Sequence, residues 1–266
     1  MVSTVFIMSV GPRFKNIDLY STLQSCFSQS IKTDLFIYFD GVSPSDEIVK
    51  FLNENSVEFN VSHECKGLAT GLNYLIHKIC ALNQYEFVLR IDCGNINDPS
   101  RAEKQVKFLR DSLDIDIVGS QAAVYQNSVF LHTTQHPLSS KAIIQRLKWR
   151  NPLIHPSVAF RINLFRDGFR YDTEMMRCQD YKLWIDLADA EFSFANIDEA
   201  LIEIHRDQNF MKRRSSSMSR YEFMARTHAA RKLGGNSYVL FALAVLVYIF
   251  RQLPTSWINF VYSVKI

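Results

Sequence analysis

The stretch LRIDCGNINDPSRAEKQV, residues 89–106, starts as an apolar strand, passes through an acid, a cysteine, a glycine and an asparagine, and then opens a helix. Its first residues complete a strand over Glu86–Ile91, which Asp92 closes. Asp98 and Pro99 are helix-starting residue types: a carboxylate accepts from the orphan N–H groups of the first turn, and proline has no N–H to lose there. The helix runs to about Ser112, and DIDIVGS, residues 114–120, supplies another strand. Strand, polar turn, helix and strand form the repeating unit of a parallel sheet.

Upstream, the same alternation continues. Apolar strands are predicted at Val5–Val10, Leu35–Phe39 and Val57–Val61, with helical spacing over Ile17–Phe27, Asp46–Asn55 and Gly67–Leu82. The predicted fold class is α/β, a mainly parallel sheet sandwiched by helices. Such sheets bind ligands beyond the carboxyl ends of their strands, and those positions are polar here. The second strand ends in Asp40 and Gly41 (FDGVS), the fourth in Asp92, Cys93 and Gly94. Singly, each acid has a plain reading: Asp-Gly is a common turn, and Asp after a strand often caps the next helix. Two such acids on one sheet can share a crevice.

Composition narrows the classes. With 47% hydrophobic and 21% charged residues the chain is globular rather than disordered. Its five scattered cysteines include no Cys-x-x-Cys pair, which argues against a zinc knuckle or a disulfide framework and fits a reducing cytosol. The N-terminal apolar run has no basic leader and reads as a first strand, not a signal segment. Gly-x-Gly-x-x-Gly, Walker and Gly-x-Ser-x-Gly motifs are missing. GLATGL, residues 67–72, reads as a helix start needing close packing, and His132 and His136 in HTTQHP as loop residues rather than a metal pair.

In the second half, NPLIHPSVAF (residues 151–160) puts His155 before a proline, hence in extended backbone leading into a strand over Ser157–Phe160. QDYKLWIDLADA (residues 179–190) is an amphipathic helix burying Leu183, Trp184, Leu187 and Ala188, with Asp180 at its start, where capping is the plain role.

Taken in order, MSV, FDGVS, KGLATGLN, LRIDCGNINDPSRAEKQV, DIVGS, HPSVAFR and QDYKLW resemble the family 2 glycosyltransferases of the bacterial surface-polysaccharide type, over residues 5–206. The resemblance implies the type A nucleotide-sugar-binding fold and inverting transfer of one sugar. Asp40 matches the acid at the donor nucleobase or ribose, and Asp92 the first acid of the Asp-x-Asp motif at the diphosphate. Lys66 and Arg101 fall in segments that line the donor, His155 matches the histidine at the donor-acceptor junction, and Asp180 the catalytic base.

The chain departs from the pattern at three places: Gly94 stands where the second, metal-binding acid belongs, Phe39 replaces an acid before Asp40, and Gln179 replaces one before Asp180. Three readings follow. Mg²⁺ or Mn²⁺ is held by Asp92, the diphosphate and water, with the Asn95 amide; or cationic side chains, Arg206 and the Lys212-Arg213-Arg214 cluster, stabilise the leaving group without metal; or the protein is an inactive nucleotide-sugar-binding or scaffolding homologue. A nucleotidyltransferase is disfavoured because no Gly-rich phosphate loop follows the first strand.

Charge separates the ends of the chain. Residues 206–232 carry a local +6 in a chain of net +3. Residues 1–210 are therefore expected to be the catalytic domain, and residues 211–266 a basic, amphipathic C-terminal region with a helix over Arg220–Lys232. Tyr238–Phe250 is uncharged but, at thirteen residues, too short to span a bilayer. Attachment at the membrane surface is expected, with packing against the catalytic domain as the alternative. The expected partners are a nucleotide-sugar donor, UDP-linked, a lipid-linked saccharide acceptor and the inner face of the cell membrane, in O-antigen or capsule synthesis; nucleic acid is not among them.

Overall fold

The structure, a computed structural model, describes residues 3–12, 14–206 and 216–250. Lys212, Arg213 and Arg214 lie outside the described residues, as do Arg251 and everything after it. Strands β1 (Thr4–Val10), β2 (Asp34–Asp40), β3 (Glu58–Ser62) and β4 (Phe87–Arg90) alternate with helices α1 (Asn16–Phe27), α2 (Asp46–Glu54) and α3 (Leu68–Leu82). There follow β5 (Asn95–Asn97), α4 (Arg101–Asp111), the hairpin β6 (Ile117–Gln126) and β7 (Val129–Thr133), and α5 (Ser140–Leu147). A 3-10 turn (His155–Ser157), β8 (Ala159–Arg161), α6 (Asn163–Arg166), α7 (Gln179–Asp189) and β9 (Phe194–Arg206) complete the body, and α8 (Ser216–Lys232) and α9 (Ser237–Phe250) close the described chain.

Among the described residues, nine strands join one sheet in the order β3-β2-β1-β4-β8-β6-β9-β5, with β7 on β6. The β3-β2-β1-β4 half is parallel, as the strand-helix alternation requires. Beyond it β8 enters antiparallel between β4 and β6, and β5 pairs antiparallel with β9, so the sheet is mixed. Alternation along each strand sends side chains to two cores. Val5, Ile7 and Val88 meet Leu72, Leu75 and Ile76 of α3 and Leu183, Trp184 and Leu187 of α7 on one face. Phe6, Met8 and Leu89 meet Leu19 and Leu23 of α1 and Ala102, Val106 and Leu109 of α4 on the other.

The boundaries differ from expectation in ways with local causes. Helix α4 starts at Arg101, because the Asp98 carboxylate accepts the Ser100 N–H at 2.9 Å and holds residues 98–100 in a turn. His155 opens a 3-10 turn rather than lying extended; Ser157 N–H donates to Ile154 O at 2.8 Å, and Ile154 is the residue that stays extended. The division at residue 210 does not separate two cores: Ala225 and Ala229 of α8 are buried in the first one. His228 Nε2 and Asp186 Oδ1 lie 2.5 Å apart, and Lys232 Nζ donates to Asp189 Oδ2 at 2.7 Å, so α8 docks on α7.

Candidate active site

The carboxyl ends of β2 and β4 lie on either side of β1 in the same sheet edge, and the polar residues that follow them line that edge. Asp40 ends β2 almost completely buried. Its Oδ1 accepts the Lys66 N–H at 2.7 Å and its Oδ2 the Gly67 N–H at 2.9 Å, which ties β2 to the start of α3. Gly41 allows this closure: its φ is +67°, and a Cβ there would lie 2.6 Å from Cys65 Cβ. Lys66 contributes its backbone to that tie and keeps its side chain in solvent, 3.6 Å from Glu64.

Asp92 follows β4 with its side chain 40% exposed. Its Oδ1 accepts from Nη2 of Arg90, whose side chain is completely buried. Cys93 and Gly94 then turn the chain into β5. Gly94 has φ +92°, a conformation that L side chains rarely adopt, so glycine here serves the turn. The turn is pinned by the Gly94 N–H, which donates to Thr22 Oγ1 at 2.9 Å.

On the same side of the sheet, α7 and the 3-10 turn bring up the remaining polar groups. Helix α7 begins after Cys178, a left-handed residue, and Asp180 sits in its first turn rather than capping it. Asn151 Nδ2 donates to Asp180 Oδ2 at 2.7 Å. Burial raises the Asp180 carboxyl above its ordinary value, opposed by hydrogen bonds from the helix start and Asn151 and by the charge of Arg90. His155 Nε2 lies 2.9 Å from Tyr171 Oη, its ring against those of Tyr171 and Trp184. Burial, then the Arg90 charge, holds its pKa well below the usual histidine range, so the imidazole is neutral. The Arg90 charge acts on Tyr171 as well, which makes this arginine the common neighbour of Asp92, Asp180, His155 and Tyr171.

No protein-family model matches the chain. An Escherichia coli UDP-Gal:alpha-D-GlcNAc-diphosphoundecaprenol beta-1,3-galactosyltransferase is 26% identical over 97% of this chain and 94% of its own length. The putative glycosyltransferase EpsE of Bacillus subtilis is 24% identical over 76% of this chain and 73% of its own. Among solved structures, S. aureus TarS 1–349 in complex with UDP-GlcNAc superposes with a TM-score of 0.66 at 12% identity, covering 94% of this chain and 72% of that one. The fold is thus that of TarS, and the curated relatives are named as glycosyltransferases. The chain is a glycosyltransferase.

The glycosyltransferase's geometry corrects one site expectation and places two more. Arg101 does not line the donor. Its side chain is completely buried behind β4, where Nε donates to Gln105 Oε1 at 2.9 Å, Nη1 to Asn97 Oδ1 at 2.6 Å and Nη2 to Arg90 O at 2.8 Å. Asn95 lies in the sheet. It is the first residue of β5, buried and paired in register with Ile204, because the chain re-enters the sheet immediately after Gly94. Arg206 ends β9 two residues beyond Ile204, so that strand leaves the sheet beside the 92–94 turn.

The donor set does not fit a divalent cation held by the protein. Asp92 is already ion-paired, Gly94 has no side chain, and burial pushes the Cys93 thiol up to about 12, with Asp18 and Asp92 adding to it, so the sulfur stays protonated. Among the described residues no three His, Cys, Asp or Glu side chains converge to hold a metal. Sequence reading missed Arg90, Asn151 and Tyr171. Arg90 did leave a signal, a lone charge at the end of the buried strand FVLR; Asn151 and Tyr171 left none.

Proposed function

We propose that this glycosyltransferase performs an inverting transfer of one sugar from a UDP-sugar to a lipid-linked saccharide, at the inner face of the cell membrane, in surface-polysaccharide synthesis. The observation that carries the mechanism is Asp180: a half-buried carboxylate fixed by Asn151, under the charge of the same Arg90 that pairs with Asp92. The acceptor hydroxyl attacks the anomeric carbon opposite the nucleotide. As the new C–O bond forms, the hydroxyl proton passes to Asp180, the bond to the diphosphate breaks, and the nucleotide diphosphate leaves. His155, neutral and held against Tyr171, is a hydrogen-bonding group at the sugar rather than a second charge. Asp40 orients the nucleotide end of the crevice through the Lys66–Gly67 backbone it anchors.

Support for the acceptor comes from the E. coli relative, whose substrate is diphosphoundecaprenol-linked. The UDP donor is supported by that relative and by TarS. Support for the membrane surface comes from α9. Among the described residues no helix is long and apolar enough to cross a membrane, yet α9 leaves Tyr238, Val239, Phe241, Leu246 and Ile249 exposed. Apolar side chains presented along a short helix suit insertion among lipid head groups.

Asp180→Asn tests the base. Transfer from UDP-sugar to a lipid-linked acceptor should fall by about 10²–10⁴-fold while UDP binding is kept. Unchanged transfer would remove Asp180 from the mechanism.

A further inference from the structure

Arg90 is the last residue of β4, and none of its side chain reaches solvent. Arginine stays protonated in proteins, so a full positive charge is buried there. One side-chain acceptor meets it, Asp92 Oδ1 on Nη2. Nε and Nη1 are buried without an acceptor among the described residues.

The neighbouring Arg101 shows that this fold can satisfy a buried guanidinium. All three of its nitrogens donate, to Gln105, Asn97 and the carbonyl of Arg90. Leaving two donors of a second buried cation unmatched is destabilising. A native structure keeps such a group where an acceptor arrives from elsewhere. The surroundings say which kind. Arg90 pairs with the partly exposed Asp92, the acid that the family resemblance puts at the donor's diphosphate, and its charge bears on Asp180 and His155. One oxygen of the Asp92 carboxylate, Oδ1, is already taken by this same arginine.

We propose that Arg90 is the diphosphate-binding cation of this site: its Nε and Nη1, covered in the free chain, are uncovered as the donor enters, diphosphate oxygens accept from them while Nη2 keeps Asp92, and no divalent ion is needed for nucleotide binding. The planar guanidinium suits this, because its several N–H groups match neighbouring phosphate oxygens. It also accounts for Gly94: with a permanent cation from β4, the second acid of the motif has no ion to hold, and the position is free to take the left-handed turn that starts β5. The proposal rests on the reading of this crevice as a nucleotide-sugar site.

The test is calorimetric binding of UDP, GDP and dTDP to the full chain, with Mn²⁺ and again with EDTA, for the wild type, Arg90→Met and Arg90→Lys. At least one nucleotide should bind the wild type equally, within about twofold, in Mn²⁺ and in EDTA, and Arg90→Met should weaken that binding in EDTA by about tenfold or more. Because Met fills similar volume and removes unmatched donors, the Arg90→Met melting temperature should not fall, which separates a ligand-binding arginine from a structural one. Arg90→Lys keeps the charge without the fork and should bind with intermediate affinity; it carries the test if the methionine variant does not fold. Wild-type binding that disappears in EDTA, or an Arg90→Met protein that binds as the wild type does, overturns the proposal and leaves the donor site standing. If none of the three nucleotides binds the wild type under either condition, the donor-site reading fails, and this inference with it.

Discussion

Asn151 and Asp180 are 29 residues apart in the chain, yet Asn151 Nδ2 donates to Asp180 Oδ2 at 2.7 Å. The amide comes from the segment before the 3-10 turn and the carboxylate from the first turn of α7, so the pair joins two separately placed elements and fixes one rotamer of the proposed base. It also favours the charged form of Asp180 against the burial that disfavours it.

A pH dependence follows. The base works ionised, so kcat/KM should rise with pH through the raised Asp180 pKa and be lost on the acid side. Asn151→Ala removes a bond that stabilises the carboxylate, which should move the acid limb to higher pH and lower the maximum by about tenfold. An acid limb that stays in place, measured across pH 4–8, would show that Asn151 does not tune the base.

His155 and His136 make the folded state sensitive to acid. Burial, first among the causes, lowers both pKa values, that of His136 to about 4 and that of His155 well below 6.5. For a base with a depressed folded pKa, the unfolded chain binds the proton first, so stability is complete above 6.5 and declines as pH falls below it. Each histidine contributes a slope of about 1.4 kcal/mol per pH unit below that point, and His136 stops contributing near its own folded value. Urea unfolding at pH 7.5 and pH 5.0 measures this, and His155→Gln should flatten the difference. A His155→Gln protein with the wild-type pH slope would mean that the imidazole is not neutral in the folded state.

Arg101 and Arg90 should respond in opposite ways to loss of charge. Arg101→Met leaves Asn97, Gln105 and a backbone carbonyl without their donor, and should cost about 3 kcal/mol or more in urea unfolding. Arg90→Met removes unmatched donors and should cost little. Equal losses at the two positions would contradict the hydrogen-bond accounting that distinguishes them.

Helix α9 gives a prediction about lipid. It packs on α8 through Ala244 and through Phe241 and Tyr248 against Phe223, and its outer residues are free of the body. Leu246→Glu with Ile249→Glu should reduce co-sedimentation with anionic vesicles by about tenfold while changing the melting temperature by no more than about 1 °C. Full vesicle binding by the double variant would place the attachment elsewhere.

The alternation of apolar strands and helical spacing was enough to determine the parallel half of the sheet, its two helical layers and the position of Asp40 and Asp92 at strand ends. Those features are local: side-chain periodicity and turn chemistry act over a few residues, so a sequence carries them openly. The mixed half was not legible in that way. Strand β5 is three residues with two asparagines, and β9 carries the adjacent acids Asp198 and Glu199, which break its alternation; both become strands because β6 and the 92–94 turn offer them partners.

The site divides along the same line. That acids stand at Asp40, Asp92 and Asp180, and that Gly94 breaks the metal motif, could be read directly. Which cation meets Asp92, which amide holds Asp180, and that Arg101 faces inward were decided by the tertiary structure, because burial and hydrogen-bond partnership depend on residues distant in the chain. Arg90 and Arg101 are the same residue type eleven positions apart, one in a strand and one in a helix. Only the packing of α4 behind β4, which supplies acceptors to one guanidinium and withholds them from the other, gives them different roles.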